Sequence, residues 1–215
     1  MAWPAFDPLE WDRMRVLALL ALLVWLVPFT VSAYEDGWAV IGRENSVVIS
    51  RRAIPGHALP AFRGKGPIRG NVEDVLNLLR SVPSINQWAY GVSRAQLLEQ
   101  LSQNVDLIYL FSHTPWPMRD RDMVVRRTIE TIQSGHEYRI SLRCERGVKP
   151  VREGVVRVSE CESELLLRRL DDHTTEVDYW ASLDPGKLPS WTTSWLARTV
   201  PSRTLAAIQR RASRM

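Results

Sequence analysis

Residues 114–127 turn a stiff loop into a β-branched strand within a few positions: Thr-Pro-Trp-Pro-Met-Arg-Asp-Arg-Asp-Met-Val-Val-Arg-Arg. Pro115 and Pro117 each fix φ and remove a backbone donor, so this piece cannot pair as a central strand, and Trp116 is held at the crest of a loop. From Arg121 onward side chains alternate, with Met123, Val125 and Arg127 on one face and Val124 and Arg126 on the other. One face must then meet a core or a cavity while an aromatic is presented beside it. The expectation is the rim of an apolar ligand chamber.

The flanking chain reads mainly as antiparallel strands. Trp38–Ile41, Ser46–Arg52 and a piece near Ala61–Ile68 are extended, with the glycines at 56, 64, 66 and 70 expected at turns. The run from Gly64 to Gly70 superficially suggests a phosphate loop but misses the dinucleotide spacing and contains a proline. Asn71 is a good N-cap for a short amphipathic helix to Arg80, ended by Pro83, after which Ile85–Tyr90 forms a second short helical turn carrying Trp88, a packing aromatic. Ser93–Leu101, Val105–His113, Arg121–Ile132, Glu137–Glu145, Val155–Val158, Leu165–Leu170 and Thr175–Asp184 continue as hairpins, giving roughly eight or nine strands without crossover helices. Ser190 to about Arg211 is helical, with a broad apolar stripe through Trp191, Trp195, Leu196 and Val200 and a kink expected at Pro201. No acid follows Asp184, so this helix carries a basic flank that suits docking on anionic lipid or simple solvation.

The first 33 residues read as a targeting segment rather than as fold. Met14-Arg15 precedes an apolar run from Val16 to Phe29, and Val31-Ser32-Ala33 is a small-x-small site, so a start at Met14 and cleavage after Ala33 are expected, leaving residues 34–215 as one domain. The rival is a membrane anchor, for which about 20 apolar residues are needed. Tyr34 rather than cysteine follows the site, against a lipoprotein. The expected location is therefore exported, periplasmic or secreted. In an oxidising compartment Cys144 and Cys161 are candidates for one disulfide, and in a reducing one they would be free thiols.

Two stretches carry a resemblance to a known family. Arg121-Asp122-Met123-Val124-Val125 resembles the Arg-Asp-(aromatic or Met)-Val motif of the StAR-related lipid-transfer (START) family, and residues 184–191, Asp-Pro-Gly-Lys-Leu-Pro-Ser-Trp, resemble its Asp-Pro-Gly-Gly-x-(Ile)-Pro-x-Trp lead into the last helix. Trp88 also stands where that family has a tryptophan after its first helix. The resemblance implies an α+β helix-grip fold, a curved antiparallel sheet wrapped around a long C-terminal helix. It further implies an internal apolar cavity for one lipid of sterol, phospholipid or fatty acyl type, with transient membrane contact and no cofactor.

Arg127 matches the position where sterol-carrying members place a cavity arginine, whose acidic partner the resemblance puts on the preceding strand, where Leu107–Leu110 supplies none. If strand parity shifts at a bulge, Arg127 is a surface charge instead. Met123, Val125, Tyr109, Tyr179 and Trp195 are the other expected ligand contacts, and Trp116, Pro117 and Trp191 the expected gate. Arg121 and Asp122 are expected to pair structurally. The four histidines are scattered without HExxH spacing and no GxSxG elbow occurs, so no metal or catalytic residue is assigned. Polyketide aromatase/cyclases share the wider superfamily, which keeps an enzyme as the alternative. A basic tail on an exported chain is thin support for nucleic-acid binding, and a monomer is expected.

Overall fold

The computed structural model describes residues 34–35, 37–57, 59–114, 116, 118–184, 186 and 191–214. The targeting segment and Pro117 lie outside the described residues, as do the side chains of Tyr34, Glu35, Trp191, Thr193 and Ser194. The strands are β1 (Tyr34–Glu35), β2 (Trp38–Glu44), β3 (Val47–Arg52), β4 (Ala61–Arg69), β5 (Arg94–Ser102), β6 (Val105–Ser112), β7 (Arg121–Gln133), β8 (Glu137–Cys144), β9 (Val156–Arg157), β10 (Cys161–Asp171) and β11 (Thr174–Leu183). The helices are α1 (Val72–Arg80), α2 (Ile85–Trp88) and α3 (Trp191–Ala212), with a 3-10 turn at Val82–Ser84 before α2. The ten extended runs named from the sequence answer to β2–β11, more than the rough count of eight or nine, and β1 at two residues has no alternation to read.

The sheet runs β1-β2-β3-β4-β11-β10-β8-β7-β6-β5, antiparallel throughout, with β9 added in parallel to the start of β7. Two meanders, β1–β4 and β5–β8, are thus joined by the β10–β11 hairpin, and the sheet curves around α3. Asn45 and Ser46, with φ of 46° and 69°, make the two-residue turn between β2 and β3, the left-handed pair that matches hairpin twist. Asn71 caps α1 through Oδ1 to the Glu73 N–H at 2.8 Å, as its position predicts.

Gly64 and Gly66 lie inside β4 rather than at turns. A Cβ on Gly64 would stand 3.0 Å from Pro201 Cβ, and one on Gly66 would stand 2.8 Å from the Ser46 carbonyl oxygen. The missing side chains let α3 and β3 approach, so the glycine spacing reflects packing and not phosphate binding. The helix continues through Pro201, whose ring rests where Gly64 leaves room. Ile49, Ile68, Leu165 and Val177 from the sheet meet Val75 and Leu79 of α1 and Leu205 and Ile208 of α3 in one core.

Candidate functional site

Registers define which side chains face that core. In β7, Val125 and Ile129 are core residues and Met123 packs against them, so the odd-numbered positions from Met123 to Ile129 point inward. Asp106 lies directly across from Arg127, Ile108 from Val125 and Leu110 from Met123. The inward set of β6 is therefore Asp106, Ile108 and Leu110.

Arg127 is 3% exposed and is no surface charge. Its Nε donates to Asp106 Oδ2 at 3.1 Å, its Nη2 donates to the same oxygen, and its Nη1 donates to the Leu79 carbonyl at the end of α1 at 3.1 Å. The acidic partner is thus present, one residue before the Leu107–Leu110 stretch. Pairing is what permits a guanidinium on an apolar face, since an isolated buried charge would be strongly disfavoured. Three of the five guanidinium N–H groups are engaged, which leaves two that no described protein group uses. Leu142, half-buried, flanks Arg127 on the β8 side.

Tyr179 shares the inner face with Val177 and Ala181 and meets Phe62 edge-to-face at 6.2 Å between ring centroids. Burial alone pushes its hydroxyl well above the ordinary tyrosine range, yet part of its surface stays uncovered. Met123 is similarly half-buried against the core, while Val125 is fully packed.

Two expected ligand contacts are elsewhere. Tyr109 pairs with Val124, on the outer face, and its hydroxyl donates to Asp122 Oδ2 at 3.0 Å, so it is not available inside the sheet. Desolvation, with the Asp122 carboxylate second, raises its pKa. Trp195 is 51% exposed and stacks edge-to-face on Tyr90 at 6.4 Å, outside the core. Asp122 does not pair with Arg121 either. Fully buried, it accepts Arg157 Nε at 2.7 Å and Nη2 at 3.1 Å, because adjacent strand residues point to opposite faces. That hydrogen-bonded pair raises the Arg157 pKa.

Ser112 with Arg121, Val125 with Cys144 and Cys161 with Leu183 mark one end of the sheet, from which the 113–120 loop springs. Cys144 and Cys161 form a disulfide here, with 5.0 Å between Cα atoms, closing the excursion that carries β9. Trp116 is 92% exposed at the loop crest. Asp120, not singled out from the sequence, clamps the loop base: Oδ1 accepts the Thr114 N–H at 2.9 Å and Oδ2 lies 3.1 Å from His113 Nδ1. The Thr114 backbone bond, then His113, hold its carboxyl below the usual aspartate range. Among the described residues no cluster of three or more His, Cys, Asp or Glu could hold a metal, and no helix is long and apolar enough to cross a membrane.

A curved antiparallel sheet gripping a C-terminal helix, with a compensated ion pair on its inner face, defines a helix-grip protein. The START domain profile matches residues 31–213, and the chain belongs to that family, whose fold supports hydrophobic ligand binding. The chain is 26% identical over 198 residues to an uncharacterised protein of Pseudomonas aeruginosa, covering 92% of this chain and 95% of that one. It resembles the crystal structure of a STAR-related lipid transfer protein fragment from Xanthomonas axonopodis, with TM-score 0.74 and 26% identity, over 83% of this chain and 99% of that one. Human StAR-related lipid transfer protein 5 shares the fold at TM-score 0.73 and 17% identity, over 97% and 99% of the two chains. The Zhui aromatase/cyclase of Streptomyces shares it more distantly, at TM-score 0.52 and 15% identity, over 72% of this chain and 93% of that one.

Proposed function

We propose that the chain binds one lipid against the inner face of the sheet and carries it between membranes, with the Trp116 loop and the start of α3 as the gate. The observation that carries this reading is the Arg127–Asp106 pair, buried among apolar side chains with two guanidinium N–H groups that no described group uses. Because Asp106 already neutralises the arginine, the site favours a neutral polar head such as a hydroxyl over a phosphate or carboxylate, whose second negative charge would lack compensation. A sterol or another lipid with a small hydroxyl head fits that requirement. Covering its skeleton gains about 25 cal/mol per Å2 of apolar surface, enough to hold an otherwise insoluble molecule. Met123 and Tyr179 would contact the skeleton. The Cys144–Cys161 disulfide supports export to an oxidising compartment.

The test is native mass spectrometry of the full chain, recovered without detergent in its processed form, with organic extraction of bound material and N-terminal sequencing of the product. A hydroxyl-headed lipid at one per chain, on a product beginning at Tyr34, is expected. An empty protein that also takes up no sterol, phospholipid or fatty acid from vesicles would sink the carrier reading and favour a cyclase-like enzyme.

A further inference from the structure

Residues 145–160, between the two half-cystines, form an excursion that takes over from β8 beside β7. The Glu145 N–H donates to the Val124 carbonyl at 2.8 Å, after which the chain leaves the sheet and returns as β9, whose flanking Val156 and Val158 N–H groups donate to the Asp120 and Asp122 carbonyls at 2.8 Å each. Arg157 Nε donates to the fully buried Asp122, and Lys149 and Arg152 lie over the rings of Tyr109 and Phe111, 5.2 and 5.6 Å from the centroids. Only two residues of the excursion are strand, and most of the others are exposed.

Those ties converge on the base of the 113–120 loop. Asp120 clamps the loop through its carboxylate and receives the excursion through its carbonyl. The same stretch touches the chain between β11 and α3: Val156 Cγ1 lies 3.5 Å from where a Cβ on Gly186 would stand, and the Glu160 carbonyl accepts the Asp184 N–H at 2.9 Å. The excursion is therefore a strut between the loop that carries Trp116 and the segment that precedes α3.

The disulfide fixes the root of that strut. Cys144 is the last residue of β8 and Cys161 the first of β10, and the paired register stops one position short of them, at Arg143 with Glu162. Both half-cystines are half-buried and border an open depression of about 390 Å3, lined also by Arg143, Ser159, Glu160 and Glu162. Exchange needs an attacking thiolate to reach sulfur, and a disulfide enclosed in a core has no such approach. The 5.0 Å between Cα atoms lies within bridging range, and the neighbouring strand pair holds the register, so the two thiols can reclose after opening.

We propose that Cys144–Cys161 is a thiol–disulfide exchange site, and that its reduction by a dithiol unlatches the excursion and frees the Trp116 loop. A thiolate of the dithiol attacks one half-cystine sulfur and forms a mixed disulfide, while the other half-cystine leaves as a thiolate and takes up a proton. The second thiol of the reductant, losing its proton, then displaces the first half-cystine. The dithiol is oxidised by two electrons, and Cys144 and Cys161 end as thiols. The exchange site and the latch stand apart from the carrier reading, and only the consequence for lipid rests on it.

Closing a loop of this length is worth roughly a hundredfold in full, and the Arg143–Glu162 pair already secures part of it, so reduction should speed local opening about tenfold. The test is amide hydrogen exchange of the full chain, oxidised, reduced with dithiothreitol, and as Cys144→Ser/Cys161→Ser. In the last two the Val156, Val158 and Thr114 N–H groups should exchange faster by that factor, while those of Arg69 and Gly70, at the other end of the sheet, should not change. Equal acceleration at both ends would make the disulfide a general staple and overturn the latch. Reduction of the folded chain by dithiothreitol, trapped by alkylation and read by mass, should run within about a hundredfold of the urea-unfolded rate, and anything slower would overturn the exchange site. Reduced thioredoxin at equal thiol concentration should act faster than dithiothreitol; the reverse would exclude a protein dithiol from the depression. Lipid exchange between vesicles should quicken in the reduced chain, and a lipid-loaded chain whose exchange ignores the disulfide would overturn its control of the gate. A chain that takes up no lipid in either state, while its amides respond, would sink the carrier reading alone.

Discussion

Replacing Asp106 by leucine would strand Arg127 on the inner face. At 3% exposure the guanidinium cannot turn to water, and its one remaining acceptor would be the Leu79 carbonyl. Breaking one side of a buried pair costs about 3–5 kcal/mol, against a total stability of about 5–15 kcal/mol for a domain. Asp106→Leu should therefore lower the urea midpoint steeply or prevent folding. The double variant Asp106→Leu/Arg127→Leu removes both charges at once and should lie within about 2 kcal/mol of wild type, since an apolar replacement of a buried pair is often neutral or better. Its remaining defect is the Leu79 carbonyl, left without its donor at about 1–3 kcal/mol. With Arg127→Leu leaving Asp106 stranded at a similar cost, the cycle should give a coupling of about 4 kcal/mol or more by equilibrium urea unfolding. The folded double variant should still hold a hydrocarbon-rich ligand but lose its preference for a hydroxylated one. A single-variant cost under about 1 kcal/mol, or additive singles, would refute burial and pairing together.

Four further outcomes are expected. Cys144→Ser/Cys161→Ser should lose about 3 kcal/mol of stability, and a dithiol reductant should bring the wild type to the same melting temperature while leaving the variant unmoved. Gly64→Val should cost about 1–3 kcal/mol by pushing α3 from β4 at Pro201, whereas Gly42→Ala, with nothing within 4 Å of the added carbon, should stay within about 0.5 kcal/mol in the same melts. Trp116→Ala, at a 92% exposed position, should leave the melting temperature unchanged and slow lipid exchange between vesicles; a collapse in stability with normal exchange would make Trp116 a core residue. Asp120 has a lowered folded pKa, so its contribution is complete above the unfolded value and is lost as pH falls through the folded one. Limited proteolysis of residues 113–120 should accordingly accelerate as pH falls below the usual aspartate range.

Alternation made the strands and the inward position of Arg127 readable, but strand partners depend on register, which alternation does not specify. Partner numbers across β6 and β7 add to an odd total, as in Asp106 with Arg127, so even positions of β6 face the inward odd positions of β7. That parity puts Tyr109 outside and Asp106 inside. It is set where an eight-residue loop joins Ser112 to Arg121, too long for turn chemistry to dictate. Trp195 failed for a different reason. The face of α3 that packs carries Ala197, Pro201, Thr204, Leu205, Ile208 and Ala212, and Trp195 lies about 200° around the helix from Ala197 at 3.6 residues per turn. Of the stripe read near the start of the helix, Trp195 thus lies off the packed face, while Leu196 and Val200 are half-buried.

The two ends of the sheet differ in how they are held, and that difference bears on where a ligand would pass. At the far end the Gly70 N–H donates to the His173 carbonyl at 2.7 Å, Thr175 Oγ1 donates to the Gly70 carbonyl at 2.9 Å, and the Arg69 N–H donates to Gln209 Oε1 at 2.9 Å. Tyr138 donates to Glu73 there as well, so β4, β8, β11, α1 and α3 are knitted together. Gly70, at φ 151° with a would-be Cβ 3.0 Å from Ala212, closes the corner without a side chain. Opening that end would break several backbone and part-buried bonds at once. At the other end the 113–120 loop is tied by the Asp120 clamp, by the Val156 N–H bond to the Asp120 carbonyl at 2.8 Å and by the His113 N–H bond to Ser93 Oγ at 3.0 Å, while the disulfide closes the neighbouring excursion. Local opening favours exposed segments, so among the described residues the loop crest at Trp116, 92% exposed, is where the proposed gate would move while the Arg127 site stays in place.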